Sequence, residues 1–165
     1  MILIAIGSNL AHPQFGSSKA VCERALPAIC QAIQGEVVGL SAWYRTRPVP
    51  DRGQPWYVNG VARLSTGFGA AALLDALHDV ERSFGRVRGA PAADRTLDLD
   101  LLDHNGEISA PGVWPRLPHP RLHERAFVLL PLADCAPDWT HPETGMTARE
   151  MLKSIPHEGD IEPIP

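Results

Sequence analysis

Lysine is nearly absent from this chain. Of fifteen basic residues only Lys19 and Lys153 are lysines, and the rest are arginines. That bias either reflects genome composition or suits bidentate binding of phosphate, and the placement of the arginines has to decide. Cysteine is scarce: Cys22, Cys30 and Cys135 are odd in number and form no CxxC pair. This excludes a disulfide framework or a zinc knuckle and predicts free thiols in a reducing compartment. No apolar run approaches the length of a membrane-spanning helix. The apolar start, Met1 to Ile6, is too short for the core of a signal peptide. A cytoplasmic protein that does not engage membranes is therefore expected. A net charge of −4 points away from nucleic acid as a partner. Neither GxxxxGK[ST] nor a helix-opening GxGxxG is present, so any nucleotide would be held by arginines, a metal and loops rather than by a glycine cradle.

Against these absences one segment stands out: Arg95-Thr96-Leu97-Asp98-Leu99-Asp100-Leu101-Leu102. Leucine alternates with aspartate at period two. In a strand Leu97, Leu99 and Leu101 share one face, and Asp98 and Asp100 the other. Aspartate is a poor strand former, so two on one face need a reason. Same-face neighbours lie roughly 7 Å apart. Both carboxylates therefore reach one magnesium ion or bridge a pair, whereas a merely solvated face usually carries mixed charge.

A chain of 165 residues with 44% hydrophobic and 21% charged content suits a single domain, 1–165. Ile2 to Ile6 is a continuous apolar run and predicts a buried strand, closed by the turn cluster Gly7-Ser8-Asn9. Ser17 to Ile33 is helix-like, with Pro27 expected to kink or split it. Val37 to Tyr44 reads as one strand and Trp56 to Ser65 as the next. The latter places Trp56, Val58, Gly60, Ala62 and Leu64 on one face and Tyr57, Asn59 and Val61 on the other. From Gly69 to Phe84, Leu73, Leu74, Leu77, Val80 and Phe84 form a helical stripe, with Gly85 as its stop. After the aspartate strand, His104 to Glu107 is a tight turn from which Ile108 begins a short return strand. Phe127 to Leu132 and Thr147 to Leu152 are read as helical. The proline-rich tail, 156–165, is expected to be disordered. The order β-α-β-β-α-β predicts a ferredoxin-like α+β core: a mostly antiparallel central sheet flanked by helices in α/β/α layers.

Arginines gather around the aspartates. Arg86 and Arg88 precede that strand, Arg95 opens it, and Arg116, Arg121 and Arg125 follow. Guanidinium groups suit phosphate oxygens, and a metal held by Asp98 and Asp100 would neutralise more phosphate charge. His78 and Glu81, three apart on a helix, are either a ligand pair or supporting polar residues. His119, fixed between two prolines, is either simply exposed or a phosphate donor. Tyr57 and Asn59 share a strand face and are candidate contacts for a flat ligand.

In this order, Ala5-Ile6-Gly7-Ser8-Asn9-Leu10, Tyr44-Arg45-Thr46, Tyr57-Val58-Asn59, Glu81…Gly85-Arg86-Val87-Arg88, Arg95 to Asp100 and Pro118-His119-Pro120-Arg121…Arg125-Ala126-Phe127 resemble the 6-hydroxymethyl-7,8-dihydropterin pyrophosphokinases of folate biosynthesis. The resemblance implies pyrophosphoryl transfer from ATP to a pterin alcohol, giving AMP, in a monomer acting on small molecules. It implies two magnesium ions on Asp98 and Asp100, and catalytic roles for Arg86, Arg88 and Arg95. ATP contacts would come from Glu81, Arg86, Arg95, His119 and Arg125. The pterin would stack between Tyr57 and Phe127, with Asn59 and Thr46 on its hydrogen-bonding edge. Members often carry Trp-Gly-Pro-Arg before the aspartate strand. Here the loop is Gly89-Ala90-Pro91-Ala92-Ala93-Asp94. A pterin- or nucleotide-binding paralogue that transfers weakly, and another magnesium-dependent phosphate enzyme, are the alternatives the sequence leaves.

Overall fold

A computed structural model describes residues 1–48, 53–86, 95–155 and 161–165. One six-stranded sheet is built from β1 (Ile2–Ser8), β2 (Glu36–Leu40), β3 (Trp43–Thr46), β4 (Tyr57–Ser65), β5 (Asp98–His104) and β6 (Ile161–Ile164). Its order is β5-β1-β4-β3-β6, with β2 also paired to β4, and every pairing is antiparallel. Helices α1 (Ser18–Ala32) and α2 (Ala70–Ser83) cover one face, and α3 (Ala126–Cys135) and α4 (Ala148–Ser154) the other. This is the α+β, ferredoxin-like architecture that the element order predicts.

The period-two reading of the strands is realised as two cores. Ile2, Ile4 and Ile6 of β1 join Val58, Ala62, Leu64, Leu99 and Leu101 beneath α1 and α2. Leu3, Val61 and Leu102 join Val128, Leu129 and Leu132 beneath α3. β1 lies between β4 and β5 and is covered on both faces, so it reads as an unbroken apolar run rather than an alternation. Against β1 the register of β5 shifts between Leu3 and Ile4. Leu102 is the extra residue, since Ile4 pairs with Leu101 and Leu3 with Asp103, and it lets consecutive Leu102 and Asp103 both meet the α3 side, where Asp103 accepts the Trp139 indole N–H at 2.7 Å.

The structure corrects four local expectations. α1 runs unbroken through Pro27. Pro27 and Glu23, four residues before it, are both exposed, so the forfeited carbonyl faces water while Val21, Cys22, Ala25 and Ile29 stay buried. The segment 37–44 is two strands rather than one. At the break Ser41 donates its N–H to Val61, and Ala42 donates its N–H to Asp134 of α3 at 2.7 Å. Consequently Trp43, not Tyr44, enters the core. A Cβ at Gly60 would lie 2.6 Å from its ring, so glycine there makes room for the indole. After the turn at Asn105 and Gly106 no return strand forms at Ile108. The outer edge of β5 is met instead by His119, whose N–H donates to Leu102 at 2.9 Å. Of the tail expected to be disordered, 156–160 lies outside the described residues, and Ile161–Ile164 forms β6, which pairs with β3 from Trp43↔Ile164 to Thr46↔Ile161.

Candidate active site

Cross-strand register aligns the residues of interest in one row. Asp98 lies beside Gly7, Gly7 beside Asn59, and Asn59 beside Tyr44. Because neighbouring positions in register share a face, the aspartates and the Tyr57/Asn59 pair open on the same side of the sheet, the side that α3 covers further along. Gly7 sits between the two halves. A Cβ on it would come within 3.1 Å of Asn59 Oδ1 and 3.9 Å of Asp98 Cβ. Its bare backbone thus leaves a shallow gap between carboxylate and amide.

The carboxylate half is held by four cations or imidazoles. Arg86 Nη1 donates to Asp98 Oδ1 and Arg95 Nη1 to Asp98 Oδ2, each at 2.5 Å. Arg125 Nη1 and His119 Nε2 stand 3.7 and 3.9 Å from Asp100 Oδ2. The placement of Arg86 follows from how α2 ends. Gly85 takes φ +79°, and the N–H groups of Gly85 and Arg86 bond back to the carbonyls of Arg82 and Glu81. This glycine-terminated cap turns Arg86 back over Glu81, whose carboxylate accepts from it. Glu81 is 1% exposed and also accepts the N–H of Leu99 at 2.7 Å. It braces α2 to β5.

Arg95 is fixed through its backbone by Asn9, a buried residue that motif reading passed over as part of a turn. Asn9 Oδ1 accepts the N–H of Arg95 at 2.7 Å, and the N–H of Asn9 donates to the Arg95 carbonyl at 3.1 Å. The only signal in the sequence was an asparagine closing a turn cluster.

Burial and neighbouring charge shift the basic groups of the site in different directions. Burial lowers the Arg95 pKa, but Asp98 and Asp100 outweigh it and raise the guanidinium above its ordinary value. Burial is the main reason that Arg125 falls below its ordinary value, with Arg121 adding to it and Asp100 opposing. His119 is likewise pushed down by burial, against the pull of Asp100.

In the other half, Asn59 Nδ2 donates to Thr46 Oγ1 at 2.8 Å, and both side chains are buried. That bond fixes the amide, leaving its oxygen towards Gly7. Tyr57 is half-buried at the start of β4. Phe127, in the first turn of α3, is 37% exposed, with the Arg125 guanidinium 5.7 Å from its ring centre. Arg88 and the loop 89–94 lie outside the described residues. Glu81 stands behind the carboxylates on α2, and Arg121 pairs with Glu124 at the surface rather than with either aspartate.

Two carboxylates fit magnesium, which takes oxygen donors and usually binds through one or two carboxylates, waters and substrate phosphates. Among the described residues no group of three or more His, Cys, Asp or Glu side chains is gathered as a metal cage.

A family model described as 7,8-dihydro-6-hydroxymethylpterin-pyrophosphokinase matches residues 3–137. The 2-amino-4-hydroxy-6-hydroxymethyldihydropteridine pyrophosphokinase of Pseudomonas aeruginosa is 40% identical over 166 residues, covering 99% of this chain and 96% of its own. The enzymes of the same name from Haemophilus influenzae and Synechocystis are 38% and 35% identical, covering 92% and 93% of this chain and 91% and 75% of their own. These matches define the class: an ATP-using transferase of folate biosynthesis. Within that class the chain belongs to the 7,8-dihydro-6-hydroxymethylpterin pyrophosphokinase family. No helix among the described residues is long and apolar enough to cross a membrane.

Proposed function

We propose that this chain transfers the β,γ-pyrophosphoryl group of ATP to the hydroxyl of 6-hydroxymethyl-7,8-dihydropterin by in-line attack. The new bond joins the pterin oxygen to the β-phosphorus, and the bond from that phosphorus to the α,β-bridging oxygen breaks. The electron pair leaves with AMP, and the hydroxyl proton is lost. The observation that carries the reading is the row Asp98–Gly7–Asn59, which sets a carboxylate lined by arginines beside the Asn59 amide on one side of the sheet.

Asp98 and Asp100 would hold magnesium, two ions in all, whose chemistry is to neutralise the triphosphate and stabilise charge on the transferred group. Arg86 and Arg95, now on Asp98, would turn to phosphate oxygens, and Arg125 and His119 would do so from the Asp100 side. His119 Nδ1 accepts the Arg121 N–H, so Nε2 is the ring atom it would offer to phosphate. Arg88 is assigned with the other arginines. Tyr57 and Phe127 would stack on the pterin while Asn59 and Thr46 read its edge. Holding hydroxyl and phosphorus in line supplies much of the acceleration. We place the enzyme in the cytoplasm as a monomer acting on small molecules, with neither nucleic acid nor membrane as partner. The charge of −4 argues against an anionic polymer or membrane surface as partner.

The test is AMP formation from ATP, magnesium and the pterin alcohol. The expected result is strict dependence on the acceptor. Asp98→Ala should lower turnover roughly a thousandfold or more, the scale of losing a transition-state charge stabiliser, with the circular-dichroism spectrum unchanged. Acceptor-independent hydrolysis, or no AMP from folded protein, would overturn the reading.

A further inference from the structure

β3 is only four residues long, yet it carries Thr46, the partner that fixes the Asn59 amide. Without β6 it would be a sheet edge. β6 pairs with its full length, placing Glu162 opposite Arg45. Glu162 Oε2 there accepts from Arg45 Nε at 2.8 Å and Nη2 at 2.5 Å. The Arg45 guanidinium lies 5.3 Å from the centre of the Trp56 ring, and that of Arg47 lies 5.2 Å from the same ring. Lys19 of α1 adds a tether, donating to the Pro165 carbonyl at 3.0 Å.

These contacts lie behind the acceptor side. In extended backbone Arg45 and Arg47 point away from Thr46, and Trp56 points away from Tyr57. Thr46 and Tyr57 are paired in register. Thr46 and Tyr57, two of the four residues assigned to the pterin, therefore each have a braced neighbour on the opposite face, and the chain of contacts Glu162–Arg45–Trp56–Arg47 ties together the two strand ends that carry them.

We infer that Glu162 and β6 position the acceptor half of the site, acting through Arg45 and Trp56 on Thr46 and Tyr57. The inference rests on the functional reading above. Glu162 touches no substrate in it and is a positioning residue. One exposed ion pair contributes little by itself, and so do cation–π contacts at the surface. Together they fix the alignment of two strand ends, which is felt in acceptor binding rather than in overall stability.

The test compares Glu162→Gln, Trp56→Leu and the reciprocal pair Arg45→Glu with Glu162→Arg in the full chain. Michaelis constants for ATP and for the pterin alcohol are measured separately. Equilibrium binding of the pterin is measured in the presence of a non-hydrolysable ATP analogue. Glu162→Gln and Trp56→Leu should raise the pterin constant by about three- to tenfold, while that for ATP and kcat stay within about twofold. The reciprocal pair should recover most of the loss. An unchanged pterin constant in Glu162→Gln overturns the inference. So does a parallel rise in both constants that tracks a fall in Tm, because a merely structural strand would behave that way. If the unsubstituted chain forms AMP normally in those cases, only the brace falls. If it neither forms pterin-dependent AMP nor binds the pterin, the functional reading falls and takes the brace with it.

Discussion

Glu81 and Leu99 join helix to strand through one carboxylate: a buried Oε1 accepts a main-chain N–H across the α2–β5 interface while also receiving Arg86. Glu81→Ala would strand the Leu99 donor and release Arg86. The expected loss is about 2–4 kcal/mol, the scale of breaking a buried charged hydrogen-bond set. Glu81→Gln keeps an acceptor oxygen for Leu99 but no charge for Arg86. It should recover most of the stability and still turn over slowly. Urea unfolding beside steady-state rates separates the two effects. Equal stability of Glu81→Ala and the unsubstituted protein would dismiss the brace.

Gly7 separates the two halves of the site by having no side chain. Gly7→Ala sets a methyl group 3.1 Å from Asn59 Oδ1, in the gap between amide and aspartate. The strand itself tolerates alanine. Stability should therefore change by less than about 1 kcal/mol. One surplus methyl in a binding site is worth about 1–3 kcal/mol, so the acceptor constant should rise at least about tenfold. Unaltered acceptor binding in Gly7→Ala would show that the ligand does not use this gap.

His141 makes stability depend on pH away from the site. It is buried, its Nδ1 accepts the N–H of Glu143 at 3.3 Å, and Trp139 packs against its ring edge-on. Burial holds it below the ordinary imidazole range, only partly opposed by Glu143. A folded pKa below the unfolded one means that protonation favours unfolding. The contribution is complete above about pH 6.5 and is lost as pH falls below it. His119 is displaced the same way and adds to the trend. The urea midpoint should drop between pH 7 and pH 5. His141→Asn, which keeps an acceptor for Glu143 without a proton to gain, should show a shallower drop. Identical slopes would remove His141 as a source.

What could be read from the chain was what repeats locally. The alternation from Leu97 to Leu101 set the faces of β5 correctly, and the stripe from Leu73 to Phe84 set α2 and its glycine stop. The aspartates, Tyr57 and Asn59 fell on one side of the sheet because period two is enforced by backbone geometry. Long-range partners were the part that could not be read. Asp134 claims the amide of Ala42 from ninety-two residues away and splits a strand that local pattern makes continuous. β6 exists because β3 offers it an edge, not because Ile161-Glu162-Pro163-Ile164 has a strong preference of its own. Glu81 reads in the sequence as a ligand or supporting polar residue beside His78, and only the approach of Leu99 makes it a buried acceptor. Residues such as Asn9 and Gly7 act through what they leave open or bond to in the main chain, which composition does not register.

β4 is the strand with most neighbours: β1 on one side, and β2 and β3 in succession on the other. Its amides are bonded along both edges and its reverse face is packed on Trp43 and α1. Such a strand opens only when the whole domain does, so its amides should be among the last to exchange with deuterium. On the proposed reading, a flat acceptor docks against Tyr57 and Asn59 on backbone that is already rigid. Little ordering entropy is then spent on recognising the ring. The same rigidity couples the inside of the protein to its chemistry, since a substitution that repacks Gly60 or Ala62 shifts the strand on which Asn59 stands.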